Sequence, residues 1–583
     1  MDKIHYTITS ALPYANGPLH IGHLAGAYLP ADIFARYMRK IGNSVIFVCG
    51  SDEHGVAISI KAMQSGLTPN DIIDKYHKMI GDAFSDLGIS FDIYHRTSSQ
   101  THKKIASDFF KNIYDKNIFV KEYQKQYYDE EAKQFLADRY IVGTCPHCLY
   151  EKAYGDQCEK CGSSLNMEDL INPISTLSNT HPVLKDTYHW MLPLDKFQSD
   201  ILNYIESKKD TFRHNVYKQC LGWIKQGLKP RAVTRDLNWG IPVPLNNVDN
   251  KVLYVWFEAP IGYISATKEL FASLESDYPK DLRTEFYISN EVATKAKHAS
   301  DHWQSKNSRI VHFIGKDNIV FHTIIFQAIL LAYGGGYQLP YNVVANEFLN
   351  LEGEKISTSK NWAVWLHEYL QDFPNMQDSL RYYLCATAPE TKDSDFTWES
   401  FQMYNNNELV AIFGNFVNRV ITLITKYFNA YIPPIVKLRE IDEQILNDIA
   451  LFPSQIGDLI ESYNFRDALR NLMDLARLGN KYLTDNEPWK VIKTNQEQAQ
   501  TTLAISMQIV IGLYTLAAPF LPFTAKKMQR MLNINRDLSW DYLSKSLNEM
   551  INNHKINETE LLFRKIETSE IDTQIQKLKN MAS

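Results

Sequence analysis

Four cysteines fall within seventeen residues, as Cys145-Pro-His-Cys148 and Cys158-Glu-Lys-Cys161. Two CxxC pairs separated by nine residues present four thiolates to one tetrahedral ion, for which zinc is the expected metal. His147 ranks below them as a substitute ligand. With all four positions taken by protein, such an ion holds a fold and leaves no place for a reacting water. Two further groups suit phosphate. His20 and His23 flank Gly22 in what reads as a helix opened by Pro18, so their rings share a face near N–H groups that attract anions. Gly22 leaves room for a flat base. Far along the chain, Gly353-Glu354-Lys355-Ile356-Ser357-Thr358-Ser359-Lys360-Asn361 brings two lysines and three hydroxyls together on one polar loop. Alone it reads as a solvated turn; paired with the histidines it supplies mobile cations for a polyphosphate leaving group.

The elements that must position these groups alternate in type. Lys3 to Thr9 reads as a strand, the run from Pro18 toward Lys40 as a helix, and Ser44 to Cys49 as a continuous apolar strand of the buried parallel kind. Residues from about 120 to 250 break this rhythm with the cysteine patch. Lys251 to Phe257 and Arg309 to Ile314 then resume apolar strands, so an insertion splits one α/β domain. Beyond about 400, Leu409, Phe413, Phe416, Val420, Leu423 and Tyr427 recur at three or four residues, one apolar helix stripe. Similar stripes run through Ile456 to Leu483 and Thr501 to Ala518, which predicts a helical bundle. The polar last forty residues read as a tail or one solvated helix. Neither GxxxxGK[ST] nor GxGxxG stands between a strand and a helix, and Gly334-Gly335-Gly336 reads as a plain turn, so ordinary ATPase and dinucleotide readings lose support.

With 583 residues, 45% of them apolar, the chain is long enough for about three to five modules. Its 61 Lys and Arg against 67 Asp and Glu, a formal charge of -6, exclude a wholly basic nucleic-acid coat while allowing local basic surfaces. The 25 Gly and 22 Pro are too few for a fibrous or low-complexity chain, and the apolar share is too high for a disordered one. No apolar stretch follows the N-terminal residues in the manner of a secretory signal. Leu503 to Leu521 is interrupted by Ser506, Gln508, Thr515 and Pro519, which predicts a buried core helix and no membrane span. Seven cysteines, four of them clustered, point to a reducing cytoplasm.

His20-Ile21-Gly22-His23 resembles the HIGH signature of class I aminoacyl-tRNA synthetases, and Lys355-Ile356-Ser357-Thr358-Ser359 resembles their KMSKS loop. Within that class the match narrows to the methionyl-tRNA synthetase family. Ala11-Leu12-Pro13-Tyr14-Ala15-Asn16-Gly17, Asp52-Glu53-His54-Gly55, Tyr254-Val255-Trp256-Phe257-Glu258-Ala259-Pro260-Ile261-Gly262-Tyr263 and Phe313-Ile314-Gly315-Lys316-Asp317-Asn318 are similar to its motifs. The resemblance covers nearly the whole chain. It implies a Rossmann-type parallel-sheet catalytic domain of the α/β class, residues 1–118 and 251–340, split by a zinc-binding connective insertion at 119–250. A KMSKS-bearing stem-contact segment at 341–398, an α-helical bundle anticodon-binding domain at 399–545 and a tail or helix at 546–583 would follow.

The same resemblance implies ATP-dependent activation of L-methionine to methionyl-adenylate and transfer to the 3′ end of tRNA(Met), with Mg2+ accompanying ATP. His20, Gly22 and His23 would hold ATP phosphates, Lys355 with Ser357 and Thr358 would close over the leaving group, and Gly315 and Asp317 would lie near the nucleotide. Arg235 is a further catalytic candidate, set against a plain ion pair with an acidic neighbour. The family loop carries a second lysine where this chain has Thr358, and Lys360 is expected to replace it. Leu12, Tyr14, Trp256, Ala259, Pro260, Tyr263 and His322 match the side-chain pocket, whose aromatic walls suit a thioether, and Asp52 matches the ammonium partner. Asn415, Arg419 and Trp489 match positions that read the CAU anticodon, supplying edge donors and a stacking plane; the alternative for Trp489 is a staple over its own helix.

Two rival readings are weaker. Enzymes for leucine, isoleucine or valine usually carry a large editing insertion, because one methylene discriminates by only about 1–3 kcal/mol, whereas zinc knuckles largely occupy the insertion here. A non-catalytic zinc-ribbon RNA-binding protein would have no use for His20, His23 and Lys355. A monomer free of membrane is expected, and residues 265–308, longer than the family pattern requires, receive no role.

Overall fold

A computed structural model describes residues 4–136, 140–155, 158, 160–161, 165, 167–248, 250–358, 360–536, 538–544 and 553–582. Five strands, β1 (His5–Ser10), β2 (Ser44–Ser51), β3 (Ile93–Arg96), β4 (Ser308–Gly315) and β5 (Asn342–Asn346), form a wholly parallel sheet in the order β5-β4-β1-β2-β3. Every residue of β2 and β5 is buried, which is why the middle of each strand is continuously apolar, residues 45–49 in β2 and 343–345 in β5. The chain builds from β1 outward through β2 to β3, then returns to pair β4 on the other edge of β1. That reversal opens a crevice beyond the carboxyl ends of β1 and β4, where open parallel sheets bind ligands.

The long segment at 265–308 has a structural explanation. Ile288 bridges Ile93 in antiparallel fashion, Tyr94 N–H donates to Phe286 O at 3.1 Å, and Ser289 N–H donates to Asp92 O at 2.9 Å. Phe286 and Ile288 also pack with Ile46, Val48 and Leu270. The segment covers the β3 edge, which would otherwise offer unpaired backbone groups to another chain.

Between β3 and β4 lies the insertion. An antiparallel sheet of Val120–Asp129, Gln134–Phe135, Val183–Leu192 and Arg231–Ala232 adjoins a smaller one of Ile141–Thr144, Ala153–Tyr154 and Ile171–Ser175 that carries the cysteines. The small core under the cysteines rests on Val56 and Ile60 of helix Val56–Ser65. The C-terminal third is helical: Trp398–Phe428, Glu440–Glu461, Phe465–Asn486, Gln496–Ala517 and Pro522–Met531. Leu409, Phe413, Phe416 and Val420 are buried as the stripe requires. Both Trp398–Phe428 and Gln496–Ala517 are long and apolar enough to cross a membrane; the most apolar window of the latter is 94% buried inside the protein, as expected of a core helix. Helix Thr568–Ala582 packs back on the body, with Lys577 paired to Glu368 and Asp372 at 2.8 Å each.

Two local expectations are corrected. The early helix starts at Ile21 with His20 as its N-cap, three residues after Pro18, and passes through a π turn at Leu24–Tyr28 before Leu29–Lys40. His20 therefore caps the helix from just outside it, and its ring still lies against that of His23 on the same side. Lys251 to Phe257 is a strand only at Val252–Leu253 and turns into helix Val255–Glu258, because a short apolar run does not distinguish strand from helix by periodicity.

Candidate active site

The two histidines are set by backbone chemistry. His20 Nδ1 accepts Gly22 N–H at 3.1 Å, and His23 Nδ1 accepts His20 N–H at 3.2 Å. The rings stack 3.6 Å apart. With both Nδ1 atoms accepting, a neutral ring carries its proton on Nε2, so each presents a donor edge. Burial holds both imidazoles below their usual value, His23 at about 4 and His20 further because His23 lies against it. They act as neutral donors, so positive charge must come from elsewhere. A Cβ on Gly22 would lie 3.0 Å from the His20 ring and 3.1 Å from Ile356 Cδ1. A side chain there is excluded by the His20 ring and by the close approach of the lysine turn, while Gly22 itself borders open space.

That approach is made by backbone. Leu349–Leu351 pairs antiparallel with Glu354–Lys355, and Ser357 bridges Trp362. His20 then bridges Trp365, with Ile21 N–H donating to Val364 O at 3.1 Å and Leu366 N–H to Leu19 O at 2.8 Å. The result is a chamber of about 340 Å³ whose walls include Leu12, Tyr14, His20, Gly22, His23, Gly315, Asp317 and Lys355. Ser357, Thr358 and Lys360 sit farther round the turn and are not among its lining residues; Thr358 and Lys360 are exposed. Ser359 lies outside the described residues. Lys316, fixed between Glu347 at 2.7 Å and Asp393 at 2.9 Å, keeps Glu347 at the rim.

Beside the chamber lies an aromatic cluster. The Tyr263 hydroxyl is 2.9 Å from His322 Nε2, while His322 Nδ1 is 3.0 Å from Asn318 O. A carbonyl only accepts, so Nδ1 bears the proton and Nε2 accepts from Tyr263. Burial pushes His322 down to about 4, so it stays neutral. Pro260 and Tyr263 are buried, Ala259 is half-buried, and Trp256 is 40% exposed with its ring edge-on to Phe321. Asp52 bridges Tyr14 at the end of β2, and its Oδ1 is buried without a partner. Burial, with Glu258 nearby, raises the Asp52 carboxyl well above the usual carboxylate range, a site that favours an incoming cation.

Arg235 faces a separate smaller pocket with Trp256 and Arg231. Its guanidinium stacks 3.9 Å over Tyr254 and donates to Thr234 O. The ion pair considered for it is taken by another cation: Asp236 holds the Lys251 ammonium and accepts Thr187 Oγ1 at 2.7 Å. In the bundle, Arg419 lies 5.2 Å from the Trp489 ring, and Asn415, one turn earlier, is exposed. Trp489 thus meets a residue of a neighbouring helix. The four cysteine Sγ atoms lie within 4.8 Å of one another, with Cys145 to Cys161 at 3.9 Å and Cys148 to Cys158 at 3.6 Å. Thiolates bound at ~2.3 Å to one tetrahedral ion stand about 3.8 Å apart, so the four fit a metal ion. Sequence reasoning missed Asn318, Glu347 and Tyr28, which line the chamber; Asn318 alone carried a signal, its place in the quoted Phe313–Asn318 motif.

Comparison with known proteins agrees with this arrangement. Residues 6–421 match the family model for tRNA synthetases class I (M), and residues 432–582 match that for the anticodon binding domain of methionyl tRNA ligase. Methionine–tRNA ligases of Flavobacterium psychrophilum and Cytophaga hutchinsonii are 55% and 54% identical, covering 98% and 99% of this chain and 80% and 81% of their own lengths. A Mycobacterium tuberculosis methionyl-tRNA synthetase structure in complex with methionyl-adenylate superposes with a TM-score of 0.76 at 19% identity over 96% of this chain and 99% of that one, a likeness of fold. A split parallel sheet, a cysteine-bearing insertion and a helical bundle in this order, matched along nearly the full length, place the chain in the methionyl family of class I tRNA synthetases.

Proposed function

We propose that the chamber joins methionine to ATP and that the bundle presents tRNA(Met) to the product. The chain is a methionine–tRNA ligase by family. A methionine carboxylate oxygen attacks the α-phosphorus, pyrophosphate leaves in line, and the terminal ribose hydroxyl of tRNA then takes the methionyl group as AMP departs. Negative charge gathers on the departing pyrophosphate, so placed donors and cations carry most of the catalysis. His20 and His23 give neutral Nε2–H donors to phosphate oxygens, Gly315 and Asp317 border the nucleotide, and Lys355 with Ser357 and Thr358 closes over the leaving group. Lys360 joins as the second cation on closure. Arg235, stacked on Tyr254 in the neighbouring smaller pocket, is the further catalytic candidate. Mg2+ enters with ATP.

Leu12, Tyr14, Trp256, Ala259, Pro260, Tyr263 and His322 hold the thioether side chain, where sulfur against aromatic edges contributes about 0.3–1.5 kcal/mol, and Asp52 receives the ammonium. Asn415, Arg419 and Trp489 read the anticodon by edge donors and stacking. Zinc on Cys145, Cys148, Cys158 and Cys161 supplies a closed structural site. We place the enzyme in the cytoplasm as a monomer. The observation that carries the reading is the meeting of the His20–His23 donors and Lys355 in one chamber at the reversal of strand order. ATP–pyrophosphate exchange tested across twenty amino acids should respond to methionine alone; exchange driven by another amino acid, or by none, overturns it.

A further inference from the structure

Between Asp52 and the aromatic cluster lies a buried carboxylate with no part in the chemistry above. Glu258 is fully buried at the end of helix Val255–Glu258, which carries Trp256 and runs straight into Ala259 and Pro260. Its Oε1 lies 3.0 Å from His54 Nδ1, and its Oε2 lies 2.6 Å from His102 Nε2. His54 belongs to the turn that holds Asp52. His102 is anchored from behind, its Nδ1 being 2.9 Å from Ser265 Oγ, which donates to Ile261 O at 3.2 Å. With that hydroxyl proton committed to Ile261, Ser265 Oγ accepts from His102 Nδ1–H, and one further proton lies between His102 Nε2 and Glu258. Burial opposes ionisation of Glu258, but the two imidazoles outweigh it and hold its carboxyl below the usual value.

A carboxylate this deep is costly unless every lone pair is matched, and here the matched partners join two halves of one site. On one side is the turn 52–55; on the other is the wall of the aromatic pocket. Gly55 sits at φ +101°, and a Cβ there would fall 2.5 Å from the Tyr14 hydroxyl, so no side chain stiffens that end of the turn, whereas Glu53 at its start is held by Ser51 Oγ at 2.7 Å and Arg96 Nε at 2.9 Å. The His54 end is held from outside by the Tyr14 hydroxyl, which donates to His54 O, and by Glu258 against the His54 ring, with Trp239 Nε1 donating to Glu53 O at 2.8 Å beside them.

We infer that Glu258 is a positioning residue for amino-acid recognition, tying the Asp52 turn through His54 to the wall of the thioether pocket so that the ammonium and side-chain seats keep one separation. This rests on the reading of Asp52 and the aromatic cluster beside the chamber as the methionine site. A fixed separation matters because an unbranched ligand with several rotors pays ordering entropy at each end. Glu258, His54, His102 and Ser265 are absent from the lining of the phosphate chamber, so cutting the tie affects methionine and spares ATP.

The test is pyrophosphate exchange with Glu258→Gln, Glu258→Ala, His54→Ala and the double alanine variant. Glutamine keeps both bonds, its oxygen accepting from His54 and its NH2 donating to His102; it should stay within about threefold of the unaltered protein. Glu258→Ala and His54→Ala should each raise the methionine KM about tenfold or more, leave the ATP KM within about twofold, and be no worse together than singly. The amino alcohol of methionine should lose affinity for Glu258→Ala, while the des-amino acid, which has no ammonium to seat, should not. Glutamine as damaging as alanine, ATP and methionine KM rising together, or equal losses for both analogues overturns the inference. Should Glu258→Ala fail to fold, His54→Ala against Glu258→Gln carries the same contrast. Absence of methionine-dependent exchange in the unaltered protein defeats the underlying reading; normal exchange with unaffected variants defeats this inference alone.

Discussion

Lys355 and Lys360 are five residues apart, yet only Lys355 lines the chamber. Removing one well-placed stabiliser of developing charge costs roughly 10²- to 10³-fold in rate, so Lys355→Ala should lower the exchange kcat by about that much. Lys360→Ala should lose only about tenfold if it joins on closure; an unchanged rate removes it from the reaction. Asp52 yields a pH prediction. Its carboxyl is raised by burial and by Glu258, so the free protein retains its proton well above the usual carboxylate pKa, whereas a bound ammonium favours the ionised form. Methionine affinity should therefore rise with pH until free Asp52 ionises and then level off, falling up to about tenfold per pH unit below that point. Equilibrium binding by tryptophan fluorescence from acidic to neutral pH checks this, and Asp52→Asn should flatten the curve. Glu258 shows what sequence conceals at this scale: inside an apolar run it looks like an exposed polar residue, and only His54 and His102 arriving from distant elements make it a buried tie.

Among the elements, the cysteine sheet has the most local origin, since ligand spacing and tight turns suffice to bring four thiolates together. Its core rests on Val56 and Ile60, in the helix directly after the Asp52 turn. Chelation or Cys145→Ser should thus speed proteolysis within the small sheet and raise the methionine KM, because a structural metal supplies folding free energy; full activity with an unchanged melt would refute the metal's role. In the bundle, base stacking on an aromatic plane is worth about 1–3 kcal/mol. Trp489→Ala should raise the tRNA KM about tenfold while leaving pyrophosphate exchange intact, and equal damage to both assays would count against the anticodon role. Element boundaries were less legible than element types. His20 became an N-cap because its ring satisfies a helix N–H, and the run after Lys251 turned helical where Tyr254 and Trp256 found partners to one side.

Across the whole molecule, one buried arginine joins three parts of the chain. Arg381 Nη2 lies 2.6 Å from Asp32 Oδ2, and its Nε donates to Phe520 O at 2.9 Å, linking helix Gln377–Ala386 to an early helix and to the bundle. Arg36 and Arg381 outweigh burial and hold Asp32 down at about 2. Asp32 keeps Arg36 at 2.8 Å when Arg381 is removed, so the loss should fall below the about 3–5 kcal/mol of a stranded buried charge. Arg381→Ala should lower the thermal midpoint, and Arg381→Met, which fills the space left, should cost less, whereas equal melts for all three proteins would show the pair to be unimportant. The amino-acid order alone determined whatever depends on near neighbours: a four-thiolate cluster, apolar strands, helical stripes, and the two polar motifs suited to phosphate. Tertiary structure decided their conjunction. Residues 20 and 365 meet because β4 returns to the free edge of β1, and the Asp52 turn meets Glu258 across an insertion of more than a hundred residues. Such pairings are chosen by strand order and by the cost of leaving buried polar groups unmatched, neither of which is written in the spacing of residues along a chain.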